Sequence, residues 1–132
     1  MDILEAVIYA DDLVAAEEFY NKLLVRQPLI KDEGKHIFYR LQSSMLLIFN
    51  AEQSSVQCVS DKHPIPAHGA KGPGHVCLSM MGIEPAVWRK RLAELDIELE
   101  QDITWPNDGV SLYFRDPAGN SIEIATPKMW GF

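Results

Sequence analysis

The chain has 132 residues, of which 47% are apolar and 23% are charged, the size and composition of one globular domain with a substantial core. Its formal net charge of −7 comes without a basic stripe, so nucleic acid is not expected as a partner. The sequence predicts neither a leader peptide nor a membrane span, and a cytoplasmic protein without membrane contact is expected. The spacing of Cys58 and Cys77 fits neither a metal nor a redox motif, and we expect Cys77 in the core of a strand and Cys58 in a linker.

The first part of the chain predicts the element order β-α-β-β-β. Short apolar runs bounded by turn residues indicate strands. Leu13, Ala16 and Tyr20 recur at the spacing of an amphipathic helix, which Asp11 or Asp12 can cap. The predicted strands cover residues 3–9, 36–41 and 45–50, with a short second strand that begins at residues 29–30 and turns at residues 32–34, and the predicted helix covers residues 12–24.

Residues 51–73 interrupt this regularity, because they are rich in serine, proline and glycine and show little periodicity. So long a connection indicates either a functional loop or a bridge between two halves. The same order of elements then returns, with strands at 74–80, 97–103, 110–115 and 121–126 and a helix at 85–95. We therefore expect one domain made of a first module (1–50), a linker (51–73) and a second module (74–132).

The last two strands form a predicted hairpin around the turn Asp116-Pro117-Ala118-Gly119-Asn120. On the return strand Ile122 and Ile124 point to one face, so Glu123 points to the other. Its neighbours on that face, Ser121 and Ala125, are small. A carboxylate in this position is either an ordinary solvated residue or part of a site.

The two halves also align with each other as an internal repeat. Residues 39–49 placed over residues 114–124 without a gap pair aromatic with aromatic, arginine with arginine and turn with turn. This alignment places Ile48 over Glu123. At the start of each half, Glu5 lies over His75. Two copies of one module are predicted.

The segment Phe-Arg-Asp-Pro-Ala-Gly-Asn-Ser-Ile-Glu (residues 114–123) resembles the last hairpin of the glyoxalase / bleomycin-resistance / extradiol-dioxygenase superfamily, the vicinal oxygen chelate proteins. With the repeat, the resemblance covers nearly the whole chain. It implies an α+β fold in which two βαβββ modules form a glyoxalase-like mixed β-sheet cup. It also implies metal ligands on the first and last strands of both modules, which here are Glu5, Ile48, His75 and Glu123. Glu123 is then a catalytic residue as well as a ligand.

Three of these four positions can bind a metal, and Ile48 cannot. The metal-isomerising glyoxalases typically fill all four positions, so glyoxalase I activity is not expected. Two carboxylates and one imidazole favour Mn²⁺, Mg²⁺ or Zn²⁺ over Fe²⁺. The resemblance thus implies a divalent-metal-dependent lyase, isomerase or transferase acting on a small oxygenated molecule. The alternatives are a metal-free binding protein of the bleomycin-resistance type and, less favoured, an extradiol dioxygenase.

The expected substrate site is lined by aromatic and linker residues. Tyr39, Trp105 and Tyr113 are core or cup-wall residues that can stack on a flat molecule. Ile48 contributes an apolar wall, and His68 is an acid/base residue if the linker folds over the cup. Because the linker is long, we expect a homodimer with shared sites, in which Glu5 of the partner subunit joins His75 and Glu123.

Overall fold

The computed structural model describes residues 1–56 and 64–132. Cys58, which was predicted to lie in the linker, is outside the described residues. Eight strands and three α-helices make up the described elements. The strands are β1 (Glu5–Tyr9), β2 (Ile30–Asp32), β3 (His36–Arg40), β4 (Met45–Phe49), β5 (His75–Ser79), β6 (Gln101–Thr104), β7 (Val110–Arg115) and β8 (Ser121–Ala125). The helices are α1 (Leu13–Leu24), α2 (Ala51–Ser54) and α3 (Pro85–Glu94), and a single 3-10 turn covers Pro127–Trp130.

The strands form two sheets of four, ordered β1-β4-β3-β2 and β5-β8-β7-β6. In each sheet the first strand pairs in parallel with the last, and the other pairs are antiparallel. Each sheet, with the helix that follows its first strand, is one βαβββ unit. The predicted α+β fold of two such modules is confirmed. Among the described residues no helix is long and apolar enough to cross a membrane.

One hydrophobic core joins the inner faces of both sheets to the helices. Helix α1 begins at Leu13 because the Asp12 carboxylate accepts hydrogen bonds from the backbone N–H groups of Val14 and Ala15. Its buried side is Leu13, Ala16, Tyr20 and Leu23. From α3, Leu92 is fully buried in the same core. The opposite face of each sheet stays available for a site.

The strand register corrects the repeat alignment by one residue. Glu5 pairs with Met45 and His75 pairs with Ser121, so the residue equivalent to Glu123 is Leu47. Ile48 lies on the other face, fully buried in the core. The ungapped alignment fails because four residues (41–44) connect β3 to β4, whereas five (116–120) connect β7 to β8. Leu47 is also apolar, so neither position supplies a fourth ligand.

The structure differs from the sequence prediction at two other places. Strand β6 begins at Gln101 and not at Ile97, because the backbone N–H of Ile97 still donates to the Leu92 carbonyl at the end of α3, and the first residue that pairs with β7 is Gln101. Helix α2 was not predicted, although Asn50 accepts hydrogen bonds from Glu52 and Gln53 in the manner of an N-cap.

The hairpin turn that suggested the family also ties the two modules together. Asp116 is buried, and its Oδ1 accepts hydrogen bonds from the backbone N–H groups of Ala118 and Asn120. Its Oδ2 accepts from the Tyr20 hydroxyl of α1 at 2.9 Å and from the Asn120 amide at 2.9 Å. The same amide reaches the carbonyl of Tyr9. Burial, and then the Asp116 charge, raise the pKa of Tyr20 far above its ordinary value.

Tyr20→Phe is expected to lower the free energy of unfolding by about 2 kcal/mol, because it removes a buried hydrogen bond to a charged acceptor. Tyr39→Phe is the matched control, since the Tyr39 hydroxyl donates to the neutral Asn21 amide oxygen at 2.9 Å. That control should cost about 1 kcal/mol. Urea unfolding of both variants measures the difference, and an equal loss in the two would contradict the special role of the Tyr20–Asp116 bond.

Candidate functional site

Glu123 is a buried carboxylate on the outer face of the second sheet. It lies on β8 between Ile122 and Ile124, which point into the core. The residue is only 5% exposed, and its Oε1 atom has no hydrogen-bond partner within the described part of the chain. Its Oε2 atom lies 3.4 Å from Nε2 of His75. Burying an anion without full hydrogen bonding costs free energy, and a positive charge beside it would lower that cost.

The orientation of His75 points to the same conclusion. Its Nδ1 lies 3.1 Å from the carbonyl oxygen of Ser121, and since a carbonyl only accepts, Nδ1 must carry a proton. In the neutral ring the lone pair is then on Nε2, facing the Glu123 carboxylate. Two lone pairs directed at one another require a proton or a cation between them. A histidine with Nδ1–H bound to a backbone carbonyl is the usual arrangement of a metal ligand.

Cys77 and Tyr113 flank Glu123 on the neighbouring strands, directly opposite it in the register. Desolvation, and next the Glu123 charge, raise the pKa of the Cys77 thiol to about 12. Desolvation, and then interaction with Glu123, also raise the pKa of Tyr113. Both groups therefore keep their protons at neutral pH. Cys77 is exposed and borders the site, so its predicted place in the core is wrong; sequence reasoning overlooked that it shares a face with Glu123.

Glu5 is exposed on β1 and does not join His75 and Glu123 within this chain. In residues 1–56 and 64–132, no three histidine, cysteine, aspartate or glutamate side chains lie close enough together to hold a metal ion. Strands β1 and β5 are each the edge of their own sheet. One chain thus brings together two of the three predicted ligands.

The structure places the predicted substrate-binding residues in different parts of the molecule. Tyr39 is fully buried against α1, on the same face of its sheet as Ile48, so neither side chain faces the cup. Trp105 donates from its indole nitrogen to Ser111 Oγ at 2.9 Å. His68 does fold back onto the first sheet, where its Nδ1 lies 2.9 Å from the Tyr9 hydroxyl.

The outer face of the first sheet is aromatic where that of the second is polar. His36 stacks on Phe38 with ring centroids 4.2 Å apart, and Phe38 lies 5.1 Å from Phe49. The rings of His68 and Phe49 are nearly perpendicular, with their centroids 4.6 Å apart. Burial lowers the pKa of His36, which favours its neutral form. This surface, here called the aromatic face (His36, Phe38, Phe49 and His68), was not predicted as a group.

A crystal structure of lactoylglutathione lyase from Agrobacterium tumefaciens is 40% identical to this chain with a TM-score of 0.89, covering 99% of this chain and 97% of that one. A glyoxalase / bleomycin resistance protein from Catenulispora acidiphila DSM 44928 is 19% identical with a TM-score of 0.67, covering 94% and 96% of the two chains. A glyoxalase / bleomycin resistance protein / dioxygenase from Nocardioides is 20% identical with a TM-score of 0.69, covering 96% and 83%. The last two show likeness of fold alone. No family model and no curated protein matches the chain.

Proposed function

Because the chain belongs to the glyoxalase / bleomycin-resistance / extradiol-dioxygenase superfamily, we propose that it is a divalent-metal-dependent lyase or isomerase acting on a small molecule with adjacent oxygen atoms. The observation that supports the metal is the pairing of a buried carboxylate with the Nε2 lone pair of His75 at 3.4 Å. Oε2 of Glu123 is the atom that faces Nε2 of His75, so a cation held between these two groups would contact Oε2.

His75 and Glu123 would hold the metal from one subunit, and Glu5 of the partner subunit would complete the set. Mn²⁺, Mg²⁺ and Zn²⁺ suit two carboxylates and one imidazole better than Fe²⁺ does. When bound, the ion supplies Lewis-acid stabilisation of negative charge on a substrate oxygen.

The chain's own residues would position the substrate and move a proton. Glu123 Oε1 lacks a hydrogen-bond donor in the described part of the chain, so it is placed to accept a proton from the substrate carbon beside the oxygens. The Tyr113 hydroxyl and the Cys77 thiol stay protonated beside it and can donate hydrogen bonds to a developing oxyanion. The aromatic face of the partner subunit would cover the apolar part of the substrate.

The experiment that tests this proposal is the metal content of the purified protein, measured by mass spectrometry before and after chelation. About one divalent ion per chain is expected, together with a higher melting temperature when the ion is present. A protein that holds no divalent ion and gains no stability from one would overturn the proposal. It would favour metal-free sequestration, for which the net charge of −7 suits a cationic ligand.

One similar protein is named lactoylglutathione lyase. The first substrate to test is therefore the hemithioacetal of methylglyoxal and glutathione. We expect negligible turnover, because Leu47 stands where the register requires the fourth ligand. A turnover on the order of 10 per second, ordinary for enzymes, would show that three ligands suffice.

Leu47→Glu is the converse test. It places a carboxylate at the position equivalent to Glu123, and we expect tighter metal binding and measurable isomerase activity. Leu47 is 7% exposed, so the introduced charge will lower stability unless a metal neutralises it. Leu47→Gln is the control, because glutamine has the shape of glutamate without its charge. This variant should gain neither tighter metal binding nor isomerase activity.

A further inference from the structure

A cavity of about 560 Å³ lies between the two modules, and Glu123 is not among the residues that line it. It is bounded by the end of α1, the β3–β4 turn, the free edge of β5 and the start of α3. Most of its surface is apolar, with walls formed by Leu23, Leu41, Leu78, Met81, Trp88 and Ile124. Its volume lies within the range of small-molecule sites.

Two arginines, Arg26 and Arg91, line this apolar cavity. The Arg91 guanidinium lies 5.0 Å from the centroid of the Trp88 ring, and its Nη2 donates to the carbonyl of Leu23 at 2.7 Å. Arg26 donates to the carbonyls of Leu24 and Arg40. These backbone contacts fix both guanidinium groups without using all of their donors.

Neither guanidinium has a carboxylate partner within the described residues, although the chain is strongly acidic. By contrast, Arg89 pairs with Asp102 at 2.6 Å and Arg115 pairs with Glu100 at 2.8 Å. Two fixed and uncompensated cations beside an apolar wall are complementary to a ligand that has both an anionic head and an apolar body.

We propose that this cavity is a second ligand site, which binds an apolar carboxylate between Arg26 and Arg91. The carboxylate takes the remaining guanidinium donors, and the hydrocarbon part packs on Trp88 and the leucine walls. This site does not depend on the metal proposed at Glu123. Cys77 borders both places, so an occupied cavity lies next to the candidate metal centre.

The test is calorimetric titration of the full chain with octanoate, and with octanamide as its neutral counterpart. Octanoate should bind about tenfold more tightly than octanamide, because charge-assisted hydrogen bonds are the stronger kind. Binding should also change the tryptophan fluorescence of the protein, and a Trp88→Phe variant should lose this change. Equal binding of the two compounds, no binding of octanoate at millimolar concentration, or equally tight binding of inorganic phosphate would overturn the proposal.

Arg26→Gln and Arg91→Gln should each weaken octanoate binding severalfold, whereas Arg89→Gln on the same helix as Arg91 should leave it unchanged. Circular dichroism checks the fold of each variant. If Arg91→Gln unfolds, the Arg26→Gln variant decides the test, because Arg26 is exposed and its replacement should leave the fold intact. The cavity could instead be filled by a second copy of the chain. Sedimentation at several protein concentrations tests this alternative, because it measures self-association. If Arg26→Gln reduces self-association while octanoate does not bind the wild type, the cavity is a subunit interface and the proposal is wrong.

Discussion

Alanine in place of His75 is expected to lower divalent-metal affinity by at least about a hundredfold, since even outer partners of metal ligands contribute roughly tenfold to a hundredfold. His75 is one of two candidate ligands that this chain brings together, with its Nε2 3.4 Å from Glu123. Its loss leaves the buried Glu123 carboxylate as the main remaining donor. The measurements are retained metal after dialysis and the rise in melting temperature on adding metal.

Glu123→Gln is the companion variant, because it keeps the shape of the side chain and removes its charge. It should abolish metal uptake and also relieve the burial of an anion whose Oε1 has no hydrogen-bond partner in the described part of the chain, so the metal-free variant should be at least as stable as the metal-free wild type. His68→Ala is the control, since His68 contacts Tyr9 and Phe49 and not Glu123. Undiminished metal uptake in His75→Ala, with a wild type that does bind metal, would refute the assignment.

Much of the architecture is present in local patterns of the sequence. The alternation around Glu123 and the turn from Asp116 to Asn120 define the last hairpin, and the structure has both. The errors arise where tertiary packing decides. Ile97 and Leu99 have the character of strand residues, yet they pack on the core before the strand begins.

The proximity of His75 and Glu123 could be predicted because both lie on paired strands and on one face, with Cys77 as the link in the register. The position of Ile48 could not be fixed in the same way. A difference of one residue in turn length moves every side chain of the following strand to the other face. The sequence also could not decide whether Tyr39 lies in the core or in the cup wall. Only the pairing of Ile37 with Ile48 shows which face of β3 meets the core.

Whether Glu5 joins His75 and Glu123 depends on the proposed contact between two chains, which no local pattern of the sequence contains. Exposed apolar residues lie near Glu5 in the sequence: Ile3 is 72% exposed, Leu4 is 74% exposed and Val7 is 40% exposed. A contiguous group of exposed apolar side chains is typical of an interaction surface. A two-fold dimer through this surface would cover it, and the proposed shared site requires that the same dimer bring Glu5 to His75 and Glu123 of the partner subunit.

Mixing Glu5→Ala protein with His75→Ala protein is therefore expected to restore metal binding that neither variant has alone. In a heterodimer one site loses both ligands, while the other combines Glu5 from the His75→Ala subunit with His75 from the Glu5→Ala subunit. Random exchange should thus restore about one quarter of all sites in a two-fold dimer. Native mass spectrometry confirms that heterodimers form and counts the bound ions. Heterodimers that bind no metal would place the complete site within one chain, and metal retained by Glu5→Ala alone would remove Glu5 from the ligand set.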